Sequence, residues 1–195
     1  MNDVPLYSPA MDDTSRRTVV LWPYDPRWPD WYRREAALLS SVLGASLREM
    51  HHVGSTAVPG LVSKPVIDIL VVVDRIEDFE PLRNALAAAG FEWKGENGIA
   101  GRRYFTKVSP ESPMELVHVH AYAGGHPDVR AQLLFRDYLR AHPEVAERYA
   151  ELKESARQRF ANDRIGYTDA KAPFIRAILR AAAAEARQRL LQQQQ

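Results

Sequence analysis

The 195-residue chain has no cysteine. That absence excludes disulfides, thiolate zinc sites and a cysteine nucleophile. An excess of one charge sign is missing too: 26 Lys and Arg stand against 25 Asp and Glu, for a net charge of +1. A dedicated duplex-DNA binder needs a strong basic excess, so that class is set aside. Long hydrophobic runs are also absent. The longest apolar stretch, Val66 to Val73, is too short to span a bilayer and is interrupted by Asp68. The segment MNDVPLYSPAMDD is acidic and carries prolines, unlike a signal peptide, so a cytoplasmic protein with no membrane partner is expected. No internal repeat is visible. What is present, 46% hydrophobic and 26% charged residues, is ordinary for a globular protein with its own core.

Residues 1–16 read as a flexible arm, 17–191 as one unit, and 192–195 as a polar tail. Within the unit, an α/β part spans about 17–127 and a helical part about 128–191. Strands are expected at 19–21, 47–53, 66–73, 91–94, 103–108 and 115–122. A first helix should start at Asp25-Pro26, carry Trp28 and Trp31, and stop at Gly44. Others follow over 79–89 and 128–141, through Val145, Tyr149, Leu152, Ala156 and Phe160, and from about Thr168 to Leu191. Residues 128–195 hold 13 basic and 9 acidic side chains, against 13 and 16 in 1–127. Such a mild basic bias is most simply a solvated helix face.

The chemistry concentrates between Val53 and Asp68. A strand ends in Gly54-Ser55-Thr56, a short loop carrying Lys64 follows, and Asp68 sits inside the next, almost wholly apolar strand. Glycine lets a backbone approach a phosphate, and hydroxyls and amides can bind its oxygens. A lone ionised carboxylate in a core strand costs several kcal/mol unless paired or metal-bound. Asp68 therefore asks for a partner, and a divalent cation is one candidate. The plainer alternative is a simple turn with Asp68 capping a nearby loop. On a later strand Leu116, His118, His120 and Tyr122 share one face. If that strand lies beside the Asp68 strand, two imidazoles and one carboxylate make a facial metal site, which favours zinc, iron or manganese over bare magnesium. Otherwise the histidines are polar anchors on a half-exposed strand.

Longer motifs carry a resemblance. His52 to Leu61, Lys64 to Leu70, Val20 to Pro29, the pair His118 and His120, Phe135 to Arg140, and Tyr167, Lys171 and Phe174-Ile175 together resemble the GrpB family over roughly residues 18–180. That family is similar to the DNA polymerase β-like nucleotidyltransferases, whose pattern is Gly-Ser and then Asp-x-Asp on the following strand. The resemblance implies a mixed-sheet α/β fold with a C-terminal helical section. It also implies a metal-dependent enzyme transferring a nucleotidyl group from an NTP to an acceptor. Asp68, His118 and His120 would be catalytic and would hold a divalent metal (Mg, Mn or Zn). Lys171 would meet the triphosphate. The sequence departs from the pattern at Leu70, which stands where the second carboxylate belongs. That departure keeps two other readings open: a non-catalytic module for a nucleotide or phosphorylated small molecule, and a metal-dependent phosphohydrolase.

Further candidates for phosphate contact are Gly54, Ser55, Thr56, Lys64 and Arg103, the last grouped with Arg102 and Lys107 on a strand expected to face the cleft. A solvated edge strand would carry the same charges. Of His51 and His52, alternation allows only one toward the site, and His52 is the nearer to the loop. Glu115 is a weaker substitute for the missing carboxylate. Arg136, Asp137 and Arg140 share a helix face and read as structural ties. Trp22, Trp28, Trp31 and Tyr24 read as packing for the first helix rather than as a base-stacking platform.

Overall fold

A computed structural model of the chain describes residues 18–109 and 116–193. The expected arm, 1–16, and Glu115 lie outside the described residues. Five strands form one sheet in the order β1-β2-β5-β4-β3: β1 (Leu47–Val53), β2 (Val66–Val73), β3 (Glu92–Trp93), β4 (Arg102–Val108) and β5 (Leu116–Ala123). β2 and β5 run parallel, while β1, β3 and β4 pair antiparallel with their neighbours. The helices are α1 (Trp28–Leu43), α2 (Arg83–Ala88), α3 (Pro127–Ala141), α4 (Pro143–Arg159) and α5 (Arg164–Gln193). This is the mixed-sheet α/β architecture with a C-terminal helical section. None of the described helices is long and apolar enough to cross a membrane.

The β-branched run of β2 makes it central, because apolar side chains on both faces need cover on both. One face presents Ile67, Ile69, Val71, Val117, Val119 and Ala121 to α1, whose Trp28, Trp31, Leu39 and Leu43 are buried there. The tryptophans of α1 are thus core. The other face presents Asp68, Leu70, Val72, His118, His120 and Tyr122 to the helical part. There Leu70, Val72 and Tyr122 pack with Val129 and Leu133 of α3. A second core joins Leu139 of α3, Val145 and Tyr149 of α4 and Ile178 of α5 to Val58 and Leu61 of the loop before β2. The helical part is therefore clamped over one sheet face, and the cleft lies between them.

Several local expectations are corrected. Residues 19–21 form no strand: the Val19 N–H goes to Ala161 O at 2.8 Å, and the nearest sheet-like contact is an isolated Trp22–Ser63 bridge. The first helix starts at Trp28, because the Asp25 carboxylate accepts from the Arg27 N–H at 2.8 Å and closes a turn ahead of it. Over 79–89 a 3-10 segment (Ile76–Leu82) containing Pro81 comes first, and only Arg83–Ala88 is α-helical. The last helix begins at Arg164, four residues early, with Asp163 Oδ1 accepting from the Gly166 N–H at 2.9 Å as an N-cap does. It runs on to Gln193, through the first half of the expected polar tail.

Candidate functional site

Strand register assembles the site. Asp68 of β2 pairs with Val53 at the end of β1 and with His118 on β5, and Leu70 pairs with His120. On β4, Tyr104 lies opposite His120 and Thr106 opposite His118. The two-residue period keeps all these side chains on the face toward the helical part. His120 Nε2 is 3.4 Å and His118 Nδ1 is 3.6 Å from the same carboxylate oxygen, Asp68 Oδ1. Each residue offers a ligand atom within 4.8 Å of the others. The three could hold a metal ion.

The loop after β1 sits directly over that carboxylate. Gly54 has φ 72°, and a Cβ there would collide with the Asp68 carboxylate, so only glycine permits the approach. Ser55 then opens a single 3-10 turn (Ser55–Ala57) and lines the cleft. Two arginines of α3 hold the loop from outside: Arg136 donates to His52 O at 3.0 Å and Arg140 to Ala57 O at 2.8 Å. These are the structural ties expected of that helix face.

Opposite the Asp-His-His cluster the cleft, about 730 Å³, is basic and aromatic. Lys64 comes from the loop before β2, Lys153 from α4, and Arg164 and Lys171 from α5. The Lys171 and Lys64 ammonium groups lie 4.2 and 5.7 Å from the centre of the Tyr167 ring, and Lys153 lies 4.8 Å from that of Tyr149. Lys153 is only 2% exposed and donates to Val62 O.

Burial and crowding set the charges. Desolvation pushes Lys153 down to about 7, with repulsion from Lys64 adding to it. Lys64 falls to about 8, by desolvation first and then by Arg164, with Asp68 pulling the other way. Lys171 is lowered well below its ordinary value by burial and by both other lysines. At Asp68, burial raises the carboxyl, but hydrogen bonds and charge from His118 and His120 overcome it and hold it below the usual carboxylate range. Burial lowers His118, with Asp68 pulling the other way, and so favours the neutral ring with its lone pair. A carboxylate with neutral imidazole is a donor set that fits a borderline divalent cation.

With this geometry established, similarity adds ancestry. A family model described as GrpB protein matches residues 18–181. The chain belongs to the GrpB family. It is 42% identical over 139 residues to UPF0157 protein YqkA of Bacillus subtilis, covering 71% of this chain but only 40% of YqkA. Over 187 residues it is 38% identical to UPF0157 protein PA4798 of Pseudomonas aeruginosa, covering 95% of this chain and 75% of that protein. Among solved structures, that of conserved protein GrpB from Enterococcus faecalis matches with TM-score 0.79 and 34% identity, over 86% of this chain and 99% of that one.

Of the residues singled out in this family member's sequence, Asp68, His118, His120, Gly54, Ser55, Lys64 and Lys171 all line or border the cleft. Thr56 does not: it is 1% exposed, donates to Val66 O at 2.8 Å and accepts from His52 Nε2 at 3.0 Å, so its hydroxyl is consumed in the fold. His52 is turned to α1 and stacks on Tyr32 at 4.8 Å, and burial lowers it to about 4. His51, on the other side of the strand, pairs with Glu49. Arg103 is corrected as well. It points to the α1 face, bonding Glu80 at 3.0 Å, and Lys107 likewise pairs with Glu35 of α1 at 2.9 Å. Arg102 is the arginine on the cleft side. We therefore expect Arg103→Ala to leave phosphate-ligand affinity within about twofold of wild type and to cost at most about 1 kcal/mol of stability. Isothermal titration and thermal melting check both.

Lys153, Tyr149 and Arg164 also line the cleft, without belonging to any of the site motifs of the sequence. A signal existed for Lys153: it lies four residues after Tyr149 and three before Ala156, on the apolar stripe of α4, where a lysine is out of place.

Proposed function

We propose that the protein binds a nucleoside triphosphate with one divalent cation and transfers the nucleotidyl group to an acceptor. The observation behind this is the opposition, across one cleft, of an Asp-His-His cluster and three lysines. A cation close to several ammonium groups is repelled unless an anion lies between them. A polyphosphate supplies the necessary charge and offers oxygens to both sides.

Asp68, His118 and His120 would hold the cation, Mn or Zn more readily than Mg by the chemistry of the donor set. Bound there, the cation would neutralise charge as the bond between the α- and β-phosphates breaks. The chain's own residues do the rest. Gly54 lets the loop backbone close on a phosphate, and the Ser55 hydroxyl donates to one of its oxygens. Lys64, Lys153 and Lys171 bind the departing pyrophosphate, whose negative charge favours their ammonium forms against the burial that lowers all three. The oxygen of an acceptor hydroxyl forms the new bond to the α-phosphorus and releases its proton to solvent, and pyrophosphate leaves with the electrons of the broken bond.

One observation favours a second reading. Leu70, in the place of a second carboxylate, is completely buried beneath α3. With one cation instead of two, the site also suits a module that binds a nucleotide or phosphorylated ligand without turning it over. A thermal-shift screen of nucleotides with Mg, Mn and Zn, followed by a pyrophosphate assay on the hits, separates the two. A ligand at a hundredfold its dissociation constant raises stability by about 2.7 kcal/mol. Metal-dependent stabilisation with pyrophosphate release is the expected result. Stabilisation without turnover leaves the binding module, and release of inorganic phosphate moves the assignment to a phosphohydrolase. No shift with any nucleotide sinks the nucleotide reading.

A further inference from the structure

The wall of the cleft nearest His120 carries Arg102, which the proposed reaction does not use. Arg102 is 1% exposed, so its guanidinium is a buried cation. Its Nε donates to Glu96 O at 3.0 Å and its Nη2 to Asn97 O at 2.6 Å, both in the turn before β4. Its guanidinium carbon lies 4.7 Å from the centre of the Tyr104 ring. Among the described residues no carboxylate forms an ion pair with it. The nearby Glu96 carboxylate goes instead to the Gly101 N–H at 2.7 Å and toward Arg103, and Asp128 accepts from the Tyr122 hydroxyl at 3.1 Å. The Tyr122 hydroxyl is a further hydrogen-bonding neighbour, and Nη1 faces His120 Nδ1 at 3.4 Å.

A guanidinium can only donate, so the His120 nitrogen facing it must be the acceptor. In a neutral ring the proton then sits on Nε2. The other end of the same ring agrees, because Nε2 faces the acceptor Asp68 Oδ1 at 3.4 Å. Both neighbours thus select one tautomer. It is also the tautomer that cannot ligate a cation through Nε2, since ligation needs the lone pair there and moves the proton to Nδ1, against the arginine N–H. Two backbone carbonyls and an aromatic ring hold Arg102 in this position, so freeing Nδ1 takes a competing anion.

We propose that Arg102 couples the cation to the ligand's anionic group. It holds His120 in the non-ligating tautomer until an anion in the cleft draws the guanidinium off Nδ1, so that the cation is retained firmly only together with a phosphate-bearing ligand. This rests on the proposed cation site. Arg102 acts through His120 and is a positioning residue.

The test uses the full chain in two steps. Long-range proton–nitrogen NMR of the metal-free protein, with His120 assigned from the His120→Gln spectrum, should show Nε2 protonated and Nδ1 bare. A protonated Nδ1 overturns the inference, and this step needs no variant of Arg102. Next, Mn2+ affinity is measured by electron paramagnetic resonance with and without inorganic phosphate. Phosphate should tighten Mn2+ binding about tenfold or more in wild type, within the usual range of coupling between sites. Arg102→Gln, whose carbonyl can accept from Nδ1–H, should bind Mn2+ more tightly than wild type without phosphate and gain less than about twofold from it. Arg102→Lys, a donor again, should keep the weak phosphate-free binding. A merely structural arginine would weaken Mn2+ binding in both variants, and that result overturns the inference. Equal Mn2+ affinity of wild type with and without phosphate overturns it too, while leaving the cation site standing. Absence of any His118- and His120-dependent Mn2+ binding removes the cation site itself and the inference with it.

Discussion

Asp68→Asn is expected to abolish the metal-dependent part of any nucleotide-induced stabilisation and, with it, turnover. Asn keeps the shape and one acceptor oxygen but loses the charge that both histidines converge on. Removing a residue that merely supports a metal ligand typically lowers metal affinity about 10–100-fold. Loss of the only carboxylate in the cluster should exceed that. The fold itself should change little. A carboxyl held below its ordinary value of 3.8 stabilises the native state above that pH, and the contribution fades as pH falls through the folded value. At pH 7 the variant forfeits this contribution, yet the Asn oxygen still accepts from imidazole, so only part is lost. Thermal melts with nucleotide, with and without Mn2+, check the prediction, with circular dichroism confirming the fold. A metal-dependent shift that survives in Asp68→Asn would place the cation elsewhere.

The sequence made the centre of this site legible because strand alternation is a rigid rule. Once Val66–Val73 is recognised as a central strand, Asp68 must share a face with Leu70. His118 and His120 must likewise share a face, and only the pairing of the two strands remained to be found. The same rule explains the error at Arg103. Arg102 and Arg103 are adjacent, so one of them had to point away from the cleft, and composition alone could not say which. Placing the strand start at 102 instead of 103 does not decide it either. Its antiparallel register with β5 does, setting Arg102 opposite Tyr122. Thr56 was misjudged for a different reason: a hydroxyl beside Gly-Ser looks available until the partner ten residues on, Val66 O, is in place. Helix boundaries were lost where side-chain caps competed with the visible signals, as with Asp25 ahead of α1 and Asp163 ahead of α5. The lysines converge from a loop and two helices, a tertiary fact with no local signature except the misplaced polarity of Lys153.

That misplaced lysine carries the second large effect. Lys153→Met should lower the affinity for a phosphate-bearing ligand about tenfold or more, the usual worth of a hydrogen bond to a charged group. It should also flatten a pH dependence of stability that wild type shows. In the folded protein Lys153 titrates near 7, against 10.5 when exposed. Between those values the unfolded chain binds more protons at this site than the native one, so unfolding free energy must rise with pH across that window. Below about 7 the amine is charged in both states, and the native fold bears the full cost of burying it. Methionine removes the titration and fills the space with an apolar chain of similar reach, at the expense of leaving Val62 O without its donor. The variant should therefore compare best with wild type at pH 7 and lose ground steadily toward pH 10. Lys64 titrates in the same window in both proteins, so the difference between the two melting curves reports Lys153 together with the repulsion it exerts on Lys171 and Lys64. Adding inorganic pyrophosphate at pH 8 should then stabilise wild type and take up protons, because the anion restores the ammonium, while the variant shows a smaller proton uptake. Parallel curves for the two proteins from pH 7 to 10 would mean that Lys153 is not a suppressed charge waiting for an anion.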